Sequence, residues 1–302
     1  MKAAPFAYVR PTSLEDAVNE LAGSDGGGKV LAGGQSLVPV LAMRLARPEK
    51  LVDITTVEGL DQLRSTGDSL EVAAMVRQRR VEHDRATDSV PLLRMALPWV
   101  GHRELRSRGT VCGSLAHADP AAEIPAVAAC LNARITLTSP RGTRQVPARE
   151  FFTGAMTTAL GSEDILTAIR FPVAAEGEGF GFAEIARRHG DFALAGVAVR
   201  VTVSGEHVHE ATLTAFGVSD RPVTRDVSTE LASAVSASGQ DGARLAVRLT
   251  EPLAGIAQDM VDTDGDAHGS QDYRRRLLAT LSGRELAKAH DRALRGTNGG
   301  SS

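Results

Sequence analysis

Two glycine-bearing segments could present bare backbone to a negatively charged ligand. In the first, VLAGGQSLVPVL, Gly33 and Gly34 lie between a short apolar run and a helix-like pattern. In the second, RGTVCGSLAHADPAAEIPAV, Gly113 lies between two hydroxyl residues, Thr110 and Ser114. Backbone N–H groups that precede a helix bind phosphate because they point at the anion and the helix dipole favours negative charge. One such loop is most often a plain tight turn, but two loops about eighty residues apart are suited to holding one diphosphate from both sides, as a dinucleotide requires.

Other candidate motifs fail on residue type or on order. GSDGGGKV resembles the sequence of a phosphate-binding P-loop, but Val30 occupies the position of the magnesium-binding hydroxyl residue. The predicted order of elements is also helix–loop–strand, whereas a P-loop requires strand–loop–helix. DTDGDAHGSQDY has the acidic spacing of a calcium loop, but Ala267 and Tyr273 replace its glycine and its glutamate. Four further polar residues match no metal-ligand spacing: His102, His117, Asp119 and Glu123. We therefore expect no metal site.

The composition favours a soluble globular protein. Of 302 residues, 42% are hydrophobic and 24% are charged, and the formal net charge is −3 with no evident basic face, which argues against nucleic-acid binding. No run reaches the roughly 20 apolar residues of a membrane span. The two cysteines, Cys112 and Cys130, are too few for a zinc or iron–sulfur site within this chain. A cytoplasmic chain is therefore expected.

The first glycine loop belongs to a small α/β unit. Ser13 and the acids after it predict a helix that runs to about Leu21. A buried strand is predicted over residues 29–32, a helix from about Ser36 to Leu45, and a further strand over residues 51–54.

The rest of the chain divides near Glu176, in a glycine-rich acidic stretch. Before it, Asp119 and Pro120 have the residue types of a helix start. Periodicity predicts the following elements there: strands near 69–74, 133–138 and 164–171, and helices near 89–97 and 120–131. Beyond the boundary it predicts these: strands over 194–203 and 208–218, and helices near 227–237, 241–257 and 272–289.

Three longer segments resemble the signature segments of one protein family: AGGQSLVPVLAMRLARPEKLVDI, GHRELRSRGTVCGSLAHADPAAEIPAV and FAEIARRHGDFALAGVAV. That family is the FAD-binding medium subunit of the molybdenum hydroxylases, of the carbon monoxide dehydrogenase and xanthine dehydrogenase type. The resemblance covers about residues 3 to 290, since the closing segment YRRRLLATLSGRELAKA is also similar.

The resemblance implies an α+β fold. Two α/β subdomains, about residues 1–55 and 56–175, would form a vanillyl-alcohol-oxidase-type FAD-binding domain over residues 1–175. A C-terminal flavoprotein domain over residues 177–285 would consist of a three-stranded antiparallel sheet with a helical bundle. Residues 286–302 would form a tail that is disordered at its end. FAD would bind non-covalently between the second and third parts.

The resemblance also implies which residues surround FAD. Backbone N–H groups and the hydroxyls of Ser36, Thr110 and Ser114 would bind the diphosphate and the ribityl oxygens. Phe192 would cover the flavin ring, and Asp191 would lie near its reactive edge, where its charge could influence the reduction potential. The full expected set is as follows: Val30, Leu31, Ala32, Gly33, Gly34, Gln35, Ser36, Leu37, Thr110, Gly113, Ser114, Asp119, Glu123, Leu166, Asp191 and Phe192.

Two residues depart from the family pattern. Cys112 stands where the family usually has glycine, and a left-handed backbone there would cost cysteine roughly 1–2 kcal/mol. Gln35 stands where the carbon monoxide enzymes carry histidine, which argues against carbon monoxide as the substrate. The chain also lacks the cysteine-bearing insertion that would hold an extra iron–sulfur cluster.

The implied function is electron transfer within a complex. A large subunit would hold molybdopterin, a small subunit would hold two two-iron two-sulfur clusters, and the FAD of this medium subunit would pass electrons to an external acceptor. The complex would be a dimer of heterotrimers. Two other hypotheses are a free-standing FAD-dependent oxidoreductase with its own small substrate, and a nucleotide-binding regulatory module. The sequence identifies neither the substrate of the complex nor the final acceptor.

Overall fold

A computed structural model describes residues 2–238 and 241–298 and shows a mixed α+β protein. Its first sheet is parallel, in the order β1-β3-β2. The first five elements are β1 (Ala7–Val9), α1 (Leu14–Ala22), β2 (Gly28–Leu31), α2 (Leu37–Ala42) and β3 (Lys50–Asp53).

The two helices of this first part differ in how well the sequence predicts them. The α1 helix begins as predicted, because the Ser13 side chain accepts a hydrogen bond from the Asp16 N–H. The predicted end of α2 at Leu45 is wrong: the helix ends at Ala42, and Arg44 has a φ of 58°. Leu45 was expected on the buried face but is 74% exposed. The apolar spacing therefore continues past the point where the backbone turns away from the core.

The second sheet has five antiparallel strands in the order β4-β5-β10-β6-β7. Its three central strands are the three that periodicity predicts, whereas the two edge strands were not predicted. The strands of this part are β4 (Leu63–Thr66), β5 (Ser69–Ala73), β6 (Arg134–Ser139), β7 (Gly142–Pro147), β8 (Phe152–Gly154), β9 (Thr157–Thr158) and β10 (Ile165–Pro172). Its helices are α3 (Gln78–His83), α4 (Pro91–Ala96), α5 (Arg103–Arg108), α6 (Val111–His117), α7 (Glu123–Cys130) and α8 (Ala148–Phe151).

The third sheet is antiparallel and has four strands, in the order β11-β12-β13-β14. The prediction of three strands is therefore wrong, because the sheet also contains the short edge strand β14. The elements are β11 (Glu178–Ile185), β12 (Ala195–Ser204), β13 (His207–Phe216), β14 (Val223–Asp226), α9 (Ser228–Ser238), α10 (Gly242–Met260), β15 (Gly265–Asp266), β16 (Gly269–Ser270) and α11 (Gln271–Asn298). Residues 286–298 are helical where a tail was expected, and the rest of that tail lies outside the described residues.

The third sheet lies between two hydrophobic cores. On β11, Phe180 and Phe182 belong to a first core made mainly by the N-terminal elements, whereas Ala183 packs against a second core with α9, α10 and α11. Side chains alternate along a strand, so the even positions of β11 face the N-terminal part and the odd positions face the helices. Gly181 permits close packing on α11, since a Cβ there would lie 2.7 Å from the Glu285 carbonyl oxygen.

No helix within residues 2–238 and 241–298 combines the length and the apolar character needed to cross a membrane.

Candidate functional site

The first glycine loop presents free backbone donors at the end of a strand. Val30 and Leu31 end β2, Ala32 follows, and Leu37 begins α2. Gly34 has a φ of 73°, a left-handed conformation that glycine adopts without strain. Within the described part of the chain, no hydrogen bond is donated by the backbone N–H of any of four consecutive residues: Gly33, Gly34, Gln35 and Ser36. The Ser36 hydroxyl makes no capping bond either.

In the second loop, one backbone N–H group is already hydrogen-bonded to a hydroxyl of the same loop. Thr110 is the N-cap of α6, and its Oγ1 accepts a hydrogen bond from the Gly113 N–H at 2.9 Å. Thr110 is buried, so its hydroxyl is less available to a ligand than the sequence suggested. Ser114 lies one residue further along α6 and is only half-buried. Ser114 is therefore the better placed of the two hydroxyls for a ligand.

The two loops meet backbone to backbone. A Cβ on Gly33 would collide with the Arg108 carbonyl oxygen and would lie 2.9 Å from the Gly109 Cα. The α3 helix secures the far side of this contact: the Arg77 guanidinium donates to the Arg108 carbonyl, and the Gln78 N–H donates to the Gly109 carbonyl at 2.9 Å. Sequence reasoning missed Arg77 and Gln78, since the local sequence RQRRVEH carries no motif and only the fold brings it to the loop.

The third segment contacts the second at Gly190, and the chain just after β13 makes a further contact with the second segment. Gly190 has a φ of 86°, and a Cβ there would lie 2.7 Å from Cε1 of His102. At the end of β13, the Gly217 N–H donates to the Pro120 carbonyl at 2.8 Å. Phe192, in the β11–β12 loop, is 72% exposed. The loop that was expected to lie beside the flavin ring therefore packs on the second glycine segment, and its aromatic ring is left uncovered.

The remaining expected residues have different surroundings. Asp191 forms an ion pair with Arg187, with their nearest nitrogen and oxygen 3.6 Å apart, and both side chains are partly exposed. Leu166 lies on β10 in the first core and is only 6% exposed, so protein already covers its surface. The Gln35 side-chain amide donates a hydrogen bond to the Gly33 carbonyl at 3.2 Å and thereby stabilises the conformation of its own loop.

Asp119 does not cap the following helix, contrary to the prediction. Its Oδ1 accepts a hydrogen bond from the Ala121 N–H at 2.9 Å and closes a turn, while α7 begins later, at Glu123, after the N-cap Ala122. Glu123 is buried. Burial raises the pKa of its carboxyl to about 7, the charge of Asp119 adds to the rise, and the Arg106 guanidinium opposes it.

Cys112 causes no backbone strain. It lies in the first turn of α6 with helical geometry, so the left-handed conformation that would have penalised cysteine does not arise. Its thiol is buried and donates to the Val72 carbonyl with a 3.4 Å sulfur–oxygen distance, and burial raises its pKa above the usual value. A side chain in place of the family's glycine is therefore compatible with this loop.

Among residues 2–238 and 241–298, no group of three or more His, Cys, Asp or Glu side chains is arranged to hold a metal ion.

Comparisons with known proteins agree along nearly the whole chain. Family models described as "FAD binding domain in molybdopterin dehydrogenase" and "CO dehydrogenase flavoprotein C-terminal domain" match residues 4–174 and 180–289. The caffeine dehydrogenase subunit beta of Pseudomonas sp. strain CBB1 is 35% identical and covers 97% of each chain. The carbon monoxide dehydrogenase medium chain of Afipia carboxidovorans is 33% identical and covers 95% of this chain and 98% of its own. The structure of quinoline 2-oxidoreductase from Pseudomonas putida 86 has a TM-score of 0.84 at 33% identity, covering 97% of this chain and 100% of the other.

Proposed function

Because this chain belongs to the FAD-binding subunits of the molybdopterin dehydrogenases, we propose that its FAD binds where the three signature segments meet. The observation that carries this location is the contact of Gly33 with the backbone of Arg108 and Gly109, together with the contact of Gly190 with His102. These segments are far apart in sequence, and a shared site accounts for the free backbone donors of the first, the half-buried Ser114 of the second and the exposed Phe192 of the third.

The chain is a medium subunit of a molybdenum hydroxylase, and its role in that oxidoreductase is electron transfer. Bound FAD supplies the capacity to accept electrons singly and to release them singly or in pairs. The protein contributes binding, orientation and electrostatics.

The donor set of the first loop fits the diphosphate of FAD. Four consecutive backbone N–H groups have no partner within the described chain, and the Ser36 hydroxyl is free beside them. Such a concave row of donors stabilises an anion without any positively charged side chain. We assign the diphosphate to residues 32–36 and to the first turn of α6, with Ser114 as the second hydroxyl.

The flavin ring is assigned to the β11–β12 loop. The exposed Phe192 offers an apolar face to an aromatic ring, a contact worth about 1 kcal/mol beyond simple burial. The Asp191 carboxylate shares its charge with Arg187, so its influence on the ring is weaker than that of an isolated carboxylate. The Leu166 side chain is buried in the core, so it contributes at most apolar packing behind the flavin site.

The domain division is part of the proposal. We assign residues 1–175 to a vanillyl-alcohol-oxidase-type FAD-binding domain, with subdomains of about residues 1–55 and 56–175. Residues 177–285 are assigned to the C-terminal flavoprotein domain. The three larger sheets support this division, and so does the second hydrophobic core, whose buried members all lie beyond residue 194.

The partner assignment goes beyond this chain. The similar proteins are subunits of multi-subunit enzymes. We propose that a large molybdenum-binding subunit and a small iron–sulfur subunit join this one in a dimer of heterotrimers. A cytoplasmic location suits Cys112 and Cys130, which are buried free thiols.

The substrate is recognised elsewhere in the complex. The similar proteins are named for caffeine, carbon monoxide and quinoline, three compounds with little chemistry in common, yet their flavin subunits share this chain's sequence pattern or fold. A subunit that contacted the substrate directly would have to differ among them. Substrate choice is therefore assigned to the molybdenum subunit.

The purified protein is expected to contain about one FAD per chain, bound without a covalent link. The expected contacts are hydrogen bonds and ring packing, which acid denaturation disrupts. Acid precipitation should therefore release the yellow flavin into the supernatant, where chromatography identifies it. Flavin that remains in the pellet, or FMN in place of FAD, would contradict the assignment.

Substituting Phe192→Ala should weaken FAD retention about fivefold, the equivalent of about 1 kcal/mol of ring packing. Phe192 makes few protein contacts, so the thermal unfolding midpoint should not change. Dilution and repeated gel filtration measure how much FAD each protein keeps. Val247→Ala, at another exposed apolar residue, serves as the control and should behave as the wild type. Equal retention in both variants would remove Phe192 from the site.

A further inference from the structure

Glu184 is a buried carboxyl on the face of β11 that points toward the FAD-binding domain. It shares that face with Phe180 and Phe182, which belong to the first core, whereas Ala183 between them faces the helices. On the next strand, Gly196 lies directly opposite Glu184 in the antiparallel register. Glu184 was not among the residues that the sequence placed at the site.

The surroundings of this carboxyl are apolar and aromatic. The Phe216 ring covers the space where a Gly196 side chain would lie, and the Phe182 ring stacks on Phe216 with centroids 5.6 Å apart. Glu184 is 5% exposed, and its Oε2 is buried with no hydrogen-bond partner in the described chain. A buried polar atom without a partner is costly. The Oε2 atom therefore has no partner among residues 2–238 and 241–298, and a bound molecule would supply one.

A second buried carboxyl, Glu123, acts on the pKa of Glu184. Burial raises the pKa of Glu184 to about 8, and the negative charge of Glu123 adds to the rise. Glu123 begins α7, which packs against β12 and β13 of the same sheet. At neutral pH, Glu184 is therefore mostly protonated, and its O–H group is a hydrogen-bond donor.

Other charged groups near β11 do not neutralise Glu184. Behind Glu123 lie Asp119 and Arg106, and Arg106 is paired with Glu82. Glu123 is the charge that acts on Glu184, and burial lowers the pKa of His290 on α11, so that ring is neutral above pH 7. Several charged groups on the loop and on the elements that pack against β11 have other partners: Arg94 with Asp88, Arg187 with Asp191, Arg200 with Glu178, Lys288 with Glu285, and Arg292 with the Phe180 carbonyl.

We propose that Glu184 is a flavin-binding residue whose neutral carboxyl donates a hydrogen bond to a carbonyl oxygen or ring nitrogen of the bound cofactor. This inference rests on the proposed function. The β11 strand ends one residue after Glu184 and leads into the loop that carries Asp191 and Phe192, which we assign to the flavin ring. A neutral donor also avoids adding a second negative charge beside Glu123.

The proposal fixes the sign of a pH effect. Below about pH 8 the carboxyl is protonated and donates. Above that pH it ionises, loses its proton and presents a negative charge to an acceptor atom. FAD affinity should therefore fall as the pH rises through about 8, by about tenfold for one lost hydrogen bond to an acceptor.

Three forms of the full chain separate the donor role from a packing role. FAD is removed, and its dissociation constant is measured by flavin fluorescence between about pH 6 and about pH 9. Glu184→Gln keeps a donor of similar shape that does not titrate, so it should bind FAD with near wild-type affinity but without the fall at high pH. Glu184→Leu removes the donor, so it should bind about tenfold more weakly than the wild type below about pH 8, and its affinity should not fall further at higher pH. Infrared spectra should also show the C=O band of a protonated carboxylic acid in the wild type and lack it in Glu184→Gln.

A fourth variant tests the coupling between the two carboxyls. Glu123→Gln removes the charge that raises the pKa of Glu184, so the fall in affinity should begin at lower pH. The inference is overturned if Glu184→Gln shows the same pH dependence as the wild type, or if Glu184→Leu binds FAD as tightly. Failure of the wild-type chain to bind FAD at any pH would instead overturn the proposed function, so the two failures are distinguishable.

Discussion

The variant Gly33→Val is expected to lose at least about nine-tenths of its FAD. A Cβ at this position would collide with the Arg108 carbonyl oxygen and crowd the Gly109 Cα, and both are backbone atoms that cannot rotate away. Because the clash is with backbone atoms, the cost of forcing the two loops apart lies in the upper part of the range for overpacking, about 1.5–3 kcal/mol, which corresponds to a roughly tenfold to 150-fold loss of affinity. The ratio of flavin to protein absorbance after gel filtration measures the loss.

Matched variants show whether the effect is local. Gly255→Val introduces the same side chain into open space on α10 and should keep its FAD. Cys112→Gly restores the family residue within α6 and should also keep FAD, with a loss of stability of about 1 kcal/mol because glycine is a poor helix former. Gly34→Val should lower FAD content too, because the φ of 73° disfavours any branched side chain. Equal FAD content in Gly33→Val and Gly255→Val would show that the first loop is not the diphosphate site.

The second large effect concerns the isolated subunit, which should bind FAD but show no substrate-linked dehydrogenase activity. In the proposed function the centres that oxidise the substrate and relay electrons belong to the partner subunits, and this chain has only two cysteines, both of them buried free thiols. Co-expression with the cluster-bearing and molybdenum-bearing partners should restore electron flow from substrate to an artificial dye. Anaerobic bleaching of the flavin on addition of substrate measures that flow.

The corresponding control does not require a known substrate. Affinity purification of the tagged chain from its native host should bring down two further chains together with molybdenum and iron, whereas the chain expressed alone should contain flavin and neither metal. If the isolated chain turns over a small molecule at an ordinary enzymatic rate, about 1–1,000 per second, the free-standing oxidoreductase is the correct alternative. Isolated protein without flavin would favour the regulatory module.

Local signals account for the elements that the sequence predicts correctly. The central strands β5, β6 and β10 are apolar enough to be recognised, and Ser13 marks the start of α1 by a contact that spans only three residues. The edge strand β7 has the sequence GTRQVP and is largely exposed, so no buried face produces an apolar pattern. The early end of α2 is likewise set by the turn at Arg44 and not by apolar spacing.

The sequence by itself determined the family and the cofactor and indicated the segments from which we propose that the site is built, because glycine loops and their flanking residues are local patterns that a single chain displays. It did not determine how those segments meet. The packing of Gly33 on Arg108, the support from Arg77 and the effect of Glu123 on the pKa of Glu184 all depend on which sheet faces which core. Such contacts join residues far apart in sequence through many small packing terms, so only the tertiary structure decides them.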